Sequence, residues 1–198
     1  MKDKKDEKRM EEHISKSINA IKNSMKNYKK IISQSELYVK SEQNFANNIK
    51  SYSESLVTLS QSGIEDLDQG MNTIVNIFSM MQNGRIESAK LFSEKIIPNL
   101  KKNAESYPVM VKNFETRYQN DMKRNEQNIS SAEKRVKSQP KDMLKIMEEI
   151  KQQEALRQQS IVQGLQDTTK MVRDLYCNMI QLFCELFEKE KEKLQQMV

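Results

Sequence analysis

FSEKIIPNLKKN, residues 92–103, is the stretch whose reading decides the fold of this chain. It lies within a long amphipathic pattern that reads as helix on both sides, yet Pro98 stands in its middle. Proline lacks a backbone donor and its ring meets the carbonyl four residues back, which costs about 3 kcal/mol inside a helix. Either the segment is a loop between two shorter helices or it is one long helix with a bend. The apolar stripe continues on both sides, through Phe92, Ile96 and Leu100 and on to Tyr107, Val111, Phe114, Tyr118, Met122, Ile129, Ala132 and Val136. That continuity favours one helix kinked near Pro98 and again near Pro108.

Working outward, the first helix carries Ile14, Ile18, Ile21, Met25, Tyr28 and Ile32 at alternating spacings of four and three. The seam is expected to resume as Phe45, Ile49, Tyr52, Leu56 and Leu59, which makes a heptad stripe. It stops at Ser62-Gly63, a turn signal. The second helix opens with Leu67, Met71, Ile74, Phe78 and Met81 and ends at Ser138-Gln139-Pro140, where Pro140 suits the first turn of a new helix. The third carries Ile161, Leu165, Thr168, Val172, Leu175, Met179, Leu182 and Leu186 in the same alternation. Near its end Tyr176, Ile180, Phe183 and Phe187 add a second stripe. A helix apolar on two sides must be covered on two sides. The expected organisation is a charged, disordered segment over 1–11, followed by one domain over 12–198. Its helices would span about 12–61, 65–137 and 140–196.

Composition agrees with an all-α chain. Its 198 residues include 4 Gly, 3 Pro and no Trp, with 31% charged residues and only 36% hydrophobic ones. That leaves little turn material for a sheet and suits an elongated bundle whose thin core is completed by a second copy. No run of about 18 apolar residues offers a membrane span, and MKDKKDEKRMEEH has no apolar core of a secretory signal. Cys177 and Cys184, seven apart, are too distant along one helix for a disulfide and lack metal-ligand spacing. They read as reduced, buried and inert thiols.

Charge is uneven. Residues 101–145 hold eleven Lys and Arg against six Asp and Glu, an excess that equals the whole chain's net +5. Residues 51–80 hold no Lys or Arg and four acids, Glu54, Glu65, Asp66 and Asp68. Short turns make the three helices antiparallel neighbours. Acids then collect at the end rich in apolar residues and bases collect on the far arm and tip. On a helical wheel Lys112, Lys123 and Lys134, eleven apart, drift only about 20° per step. Lys101 extends the row across Pro108, and Lys137 and Lys141 follow it toward the turn. Lys22, Lys26 and Lys29 make a matching flank on the first helix. Arg117, Arg124 and Arg135 form a second stripe on the other flank of the core. These charges are either a solvated exterior or a surface for polyanions, and regular spacing with separation from acids favours the latter.

Ser88-Ala89-Lys90-Leu91-Phe92-Ser93-Glu94-Lys95-Ile96-Ile97-Pro98-Asn99-Leu100 resembles the second-helix segment of the classical BAR domain of membrane-curvature proteins. Val111-Lys112-Asn113-Phe114-Glu115-Thr116-Arg117-Tyr118 is similar to that family's lysine–phenylalanine–tyrosine stretch. The resemblance covers about residues 12–196 and rests on pattern more than on a signature. It implies three long kinked helices in an antiparallel coiled-coil bundle, paired as a crescent-shaped six-helix homodimer, with the prolines bending the arms. It further implies a cytoplasmic, membrane-peripheral scaffold that senses or induces curvature in trafficking or endocytosis. Its basic residues would bind phosphatidylserine and phosphoinositides. The expected dimer interface is Val172, Tyr176, Met179, Ile180, Phe183 and Phe187 with Leu67, Met71, Ile74 and Phe78. Residues 2–9 are charged throughout, with no apolar face, so an N-terminal wedge helix is not expected.

An enzyme is not expected. The single histidine, His13, lies in a charged region, and no glycine-rich phosphate loop, metal cluster or cofactor motif occurs. Nucleic acid is disfavoured because the aromatic residues fall on core seams and leave none to stack on bases. The competing reading is a helical protein-binding module that engages a small GTPase without lipid contact.

Overall fold

A computed structural model describes residues 2–59, 61, 63–138 and 140–196. The side chains of 2–4, 137, 140, 193, 194 and 196 lie outside the described residues. The elements are α1 (Lys2–Leu59), α2 (Glu65–Leu91), a π-helical turn (Phe92–Ile96), α3 (Ile97–Ser138), a 3-10 turn (Pro140–Asp142) and α4 (Met143–Gln196). Among the described residues there is no strand.

From Glu65 to Ser138 the backbone stays helical, so FSEKIIPNLKKN is no loop. The π turn is how the helix takes up Pro98. Leu91 and Ile97, which bracket it, both keep right-handed helical angles, and the Ile97 amide donates to the Phe92 carbonyl five residues back. Such one-turn bulges occur inside α-helices and change the local winding. The Asn99 side-chain amide donates to the Lys95 carbonyl at 2.8 Å. Ile96, Ile97 and Leu100 are buried on either side. Pro108 lies well inside α3, where its missing N–H deprives the Ala104 carbonyl of its usual helical donor.

The chain divides into two compact units, Met1–Lys26 with Glu105–Cys177 and Asn27–Ala104 with Asn178–Val198. In the first, contacts fix the register of three helices. Arg157 meets Glu7 at 3.3 Å and Glu11 at 3.8 Å, and the Ser24 and Tyr176 hydroxyls are 3.1 Å apart, so α1 and α4 run parallel. Arg117–Asp167, Asn125–Ser160 and Arg135–Glu149 pair α3 antiparallel to α4. Glu7 and Glu11 draw the charged N-terminal segment into the bundle. The segment expected to be disordered is therefore helical from Lys2.

Gly164 permits a close approach in this unit. A Cβ there would lie 2.9 Å from Tyr118 Cε2 and 3.2 Å from Ile14 Cδ1. The Tyr118 ring is stacked on Phe114, and its hydroxyl is buried without a hydrogen-bond partner.

In the second unit α1 runs antiparallel to the rod made of α2, the π turn and α3. Tyr38 packs on Phe92 and Tyr52 on Phe78, with ring centroids 4.5 and 5.1 Å apart. Lys101 meets Glu36 at 2.8 Å. Ser88 donates to Glu190 and Lys95 pairs with Glu185, which binds α4 to the same rod. Glu42 is buried, with Arg85 at 3.4 Å and the Tyr38 hydroxyl as a further donor. Arg85 also lies over the Phe45 ring.

The α1 seam differs from expectation in its second half. The buried positions continue from Tyr28, past the half-buried Ile32, through Ser35, Val39, Glu42, Ala46, Ile49 and Ser53, in phase with the four-three alternation. Phe45 and Tyr52, expected in the core, are 45% and 57% exposed. Small and polar residues occupy the core positions, and the aromatics sit one residue to the side.

Three outcomes test this packing. Gly164→Leu should lower stability by about 3 kcal/mol or more through overpacking against Tyr118 and Ile14. Gly70→Ala, with open space around it, should raise stability by up to about 1 kcal/mol, both read by urea unfolding. Burial pushes the hydroxyls of Tyr38 and Tyr118 from 10.0 up to about 12, Glu42 adding at Tyr38 and Glu11 at Tyr118. Their folded state favours the neutral phenol, so the stability they contribute is whole below pH 10 and is lost as pH rises toward 12. Tyr118→Phe removes an unpaired buried hydroxyl. It should leave stability unchanged or higher in neutral solution and flatten its decline above pH 10.

Candidate functional site

The features worth testing as a site are the basic rows and the exposed apolar faces. In the first unit Lys112, Lys123, Lys134 and Lys141 are exposed, as is Lys26 on α1. Among the described residues none of the five pairs with an acid. The arginine row is different in every member. Arg117 meets Asp167 at 2.5 Å, Arg124 meets Asp121 at 3.7 Å and Arg135 meets Glu149 at 2.5 Å. Lys22 is likewise held by Glu115 at 2.7 Å. In the second unit Lys101 is held by Glu36, whereas Lys29 is exposed and unpaired among the described residues. The side chain of Lys137 lies outside the described residues.

A wheel drawn for one helix treats the two rows alike, because it carries only that helix's own charges. The acids that neutralise Arg117 and Arg135 stand on α4, and they meet α3 only once the antiparallel register is set. Each exposed pair adds at most about 1 kcal/mol to stability, but it removes a net charge from the row. The lysine row keeps its charge.

The proposed interface residues are distributed as follows. In the second unit Leu67 and Ile74 on α2 and Ile180 and Phe187 on α4 are exposed, the last two at 61% and 66%. Met71, Phe78, Met179 and Phe183 are half-buried. Phe45, Tyr52, Ile77 and Met80 are also exposed in this unit, a feature the sequence reading did not assign to a surface. In the first unit Val172 is half-buried and Tyr176 is exposed, its hydroxyl engaged with Ser24. Cys177 and Cys184 are both free and exposed, contrary to the expectation of burial. The reason is their position on the outer side of α4, where Leu175 and Leu186 take the core-facing places.

Among the described residues no cluster of three His, Cys, Asp or Glu side chains is arranged to hold a metal. No helix there is long and apolar enough to cross a membrane.

No family model matches the sequence, and no curated protein matches it significantly. The fold, by contrast, has a solved counterpart in the N-terminal I-BAR domain of D. discoideum IBARa. The TM-score is 0.87 at 22% sequence identity, over 94% of this chain and 83% of that one. The resemblance noted in the sequence was to the classical group, and the structural likeness is to the I-BAR type. The chain shares the all-α fold of that I-BAR domain.

Proposed function

We propose that this protein is a non-catalytic, homodimeric scaffold that binds anionic membranes and senses or induces their curvature, in membrane trafficking or endocytosis. The observation that carries the reading is the contrast between the two basic rows on a fold of the BAR superfamily. Lys112, Lys123, Lys134 and Lys141 keep their charge while Arg117, Arg124 and Arg135 are neutralised by the chain's own acids. Lysine's compact ammonium suits diffuse attraction to phosphatidylserine and phosphoinositide headgroups. Each such charge near an anionic surface contributes about 1 kcal/mol. Lys26 and Lys29 on α1 would add to the row, and Pro98 and Pro108 would bend the rod that carries it.

Dimerisation supplies the rest of the affinity, because two linked weak patches bind as one bivalent contact. Support for it comes from Leu67, Ile74, Ile180 and Phe187, large apolar side chains left to solvent in the second unit. Ile180→Glu with Phe187→Glu should convert the dimer to a monomer in sedimentation velocity while leaving the helical signal intact. A wild type that sediments as a monomer at micromolar concentration would exclude the homodimer.

The membrane reading is tested by cosedimentation with phosphatidylserine and phosphoinositide vesicles at low and physiological salt. Wild type should pellet, less at higher salt, and Lys112/Lys123/Lys134→Glu should stay in the supernatant while remaining dimeric. Electron microscopy of the bound vesicles, showing outward tubules or invaginations, would read which face of the scaffold carries the lysine row. If wild type fails to pellet even at low salt, the reading is wrong, and a protein partner such as a small GTPase takes its place.

A further inference from the structure

The end of the α3–α4 hairpin carries an apolar patch that neither the core nor the lysine row explains. α4 begins Met143-Leu144-Lys145-Ile146-Met147, and of its four apolar residues only Ile146 is buried. Leu144 is 86% exposed, and Met143 and Met147 are exposed beside it. At 100° per residue these three share one flank of about 100°, with Ile146 turned to the other side of Met143 toward the core. Lys151 falls on the same flank one turn beyond Met147. Contiguous apolar surface of this kind at an exposed end marks an interaction site.

Its surroundings select the partner. Residues 133–151 hold six Lys and Arg against four Asp and Glu. One of those acids, Glu149, is taken by Arg135. Lys134, Lys141, Lys145 and Lys151 are exposed and have no acid partner among the described residues, while Glu133, Asp142 and Glu148 are the remaining acids. A second copy pairing tip to tip would set lysines against lysines. An anionic lipid surface instead receives the lysines at its headgroups and the apolar side chains just beneath them, the usual arrangement of an interfacial helix. Leucine and the two unbranched, pliable methionines suit a disordered acyl boundary.

We propose that the α3–α4 hairpin end is a shallow membrane-insertion device, in which Met143, Leu144 and Met147 enter the bilayer surface while the lysines around them lie on anionic headgroups. This rests on the membrane reading above and adds to it a salt-resistant, apolar component located at one place on the chain. Curvature would then arise from a wedge at the hairpin end as well as from electrostatic attachment along the lysine row.

The chain contains no tryptophan, so Leu144→Trp gives a single reporter, with Asn128→Trp on the exposed arginine flank of α3, away from the lysine row, as its control. Both variants would be titrated with phosphatidylserine/phosphatidylcholine vesicles, with and without lipids brominated near the headgroup. The indole emission of the Leu144→Trp variant should shift to the blue and be quenched by the brominated lipid. That of the Asn128→Trp control should change little. Met143/Leu144/Met147→Ser should weaken vesicle binding at physiological salt by about tenfold or more, given the apolar area withdrawn. It should keep the fold, since all three side chains are exposed. If the Leu144→Trp variant pellets with vesicles while its emission stays aqueous and unquenched, insertion is wrong and electrostatic attachment stands alone. A blue shift without vesicles that grows with protein concentration would assign the patch to self-association and overturn the proposal. Failure of wild type to pellet with any vesicle would remove both this proposal and the reading beneath it.

Discussion

Everything in this fold depends on one narrow heptad stripe along α1. It runs in phase from Ile14 to Ser53, with Ile32 half-buried at one position, and each helix that packs on α1 must meet it in register. Its composition changes along the way. Up to Tyr28 it is Ile, Met and Tyr, and beyond that Ser35, Glu42, Ala46 and Ser53 occupy buried places. Small residues let neighbouring helices approach closely, but they contribute little apolar area. The second unit therefore has a lean core of its own, while Phe45, Tyr52, Leu67, Ile74, Ile180 and Phe187 remain outside it. Serine is thus buried on α1 while Phe45 and Phe187 are left to solvent in the same unit.

Glu42 shows what a lean core costs. A buried carboxylate must be paired and hydrogen-bonded, since leaving it alone would be strongly unfavourable. Arg85 and the Tyr38 hydroxyl supply those partners, and Arg85 closes the group by lying over Phe45. Such a network adds little net stability compared with packed aliphatics. It does fix register, because a slip of one residue would strand both charges. That is a reasonable role for a polar group in a stripe otherwise free to slide by a heptad.

Much of this was legible in the sequence. The alternation of four and three located the helices, the turn signals near Gly63 and Pro140 located the ends, and the unbroken stripe around Pro98 argued against a loop. The phase of the α1 seam was not legible beyond Tyr28. Two registers share Ile49, and hydropathy favours the one holding Phe45 and Tyr52, whereas close helix approach favours the one holding Ala46 and Ser53. Packing distance decides between them and is absent from a periodicity argument. The same gap hid the exposure of Cys177 and Cys184 and the partners of the arginine row. The charged first turns of α1 were misread for a related reason, as Glu7 and Glu11 gain their helical setting from Arg157, 150 and 146 positions away.

The length scale of screening bears on how far the two basic rows act separately. At physiological ionic strength the Debye length is about 8 Å, and a helix with its side chains is about 10–12 Å across. The arginine row stands roughly 100–140° around α3 from the lysine row, and screening weakens what each row feels of the other through solvent. A surface facing the lysine row would meet Lys112, Lys123 and Lys134 first, with the paired arginines to one side of them. Eleven-residue spacing then matters more than total charge, since it keeps three ammonium groups on one side over a distance of about 33 Å. A net charge of +5 spread at random would give a weakly basic protein. Segregated by helix flank and left unpaired in one row only, the same residues concentrate the positive charge on one flank of α3.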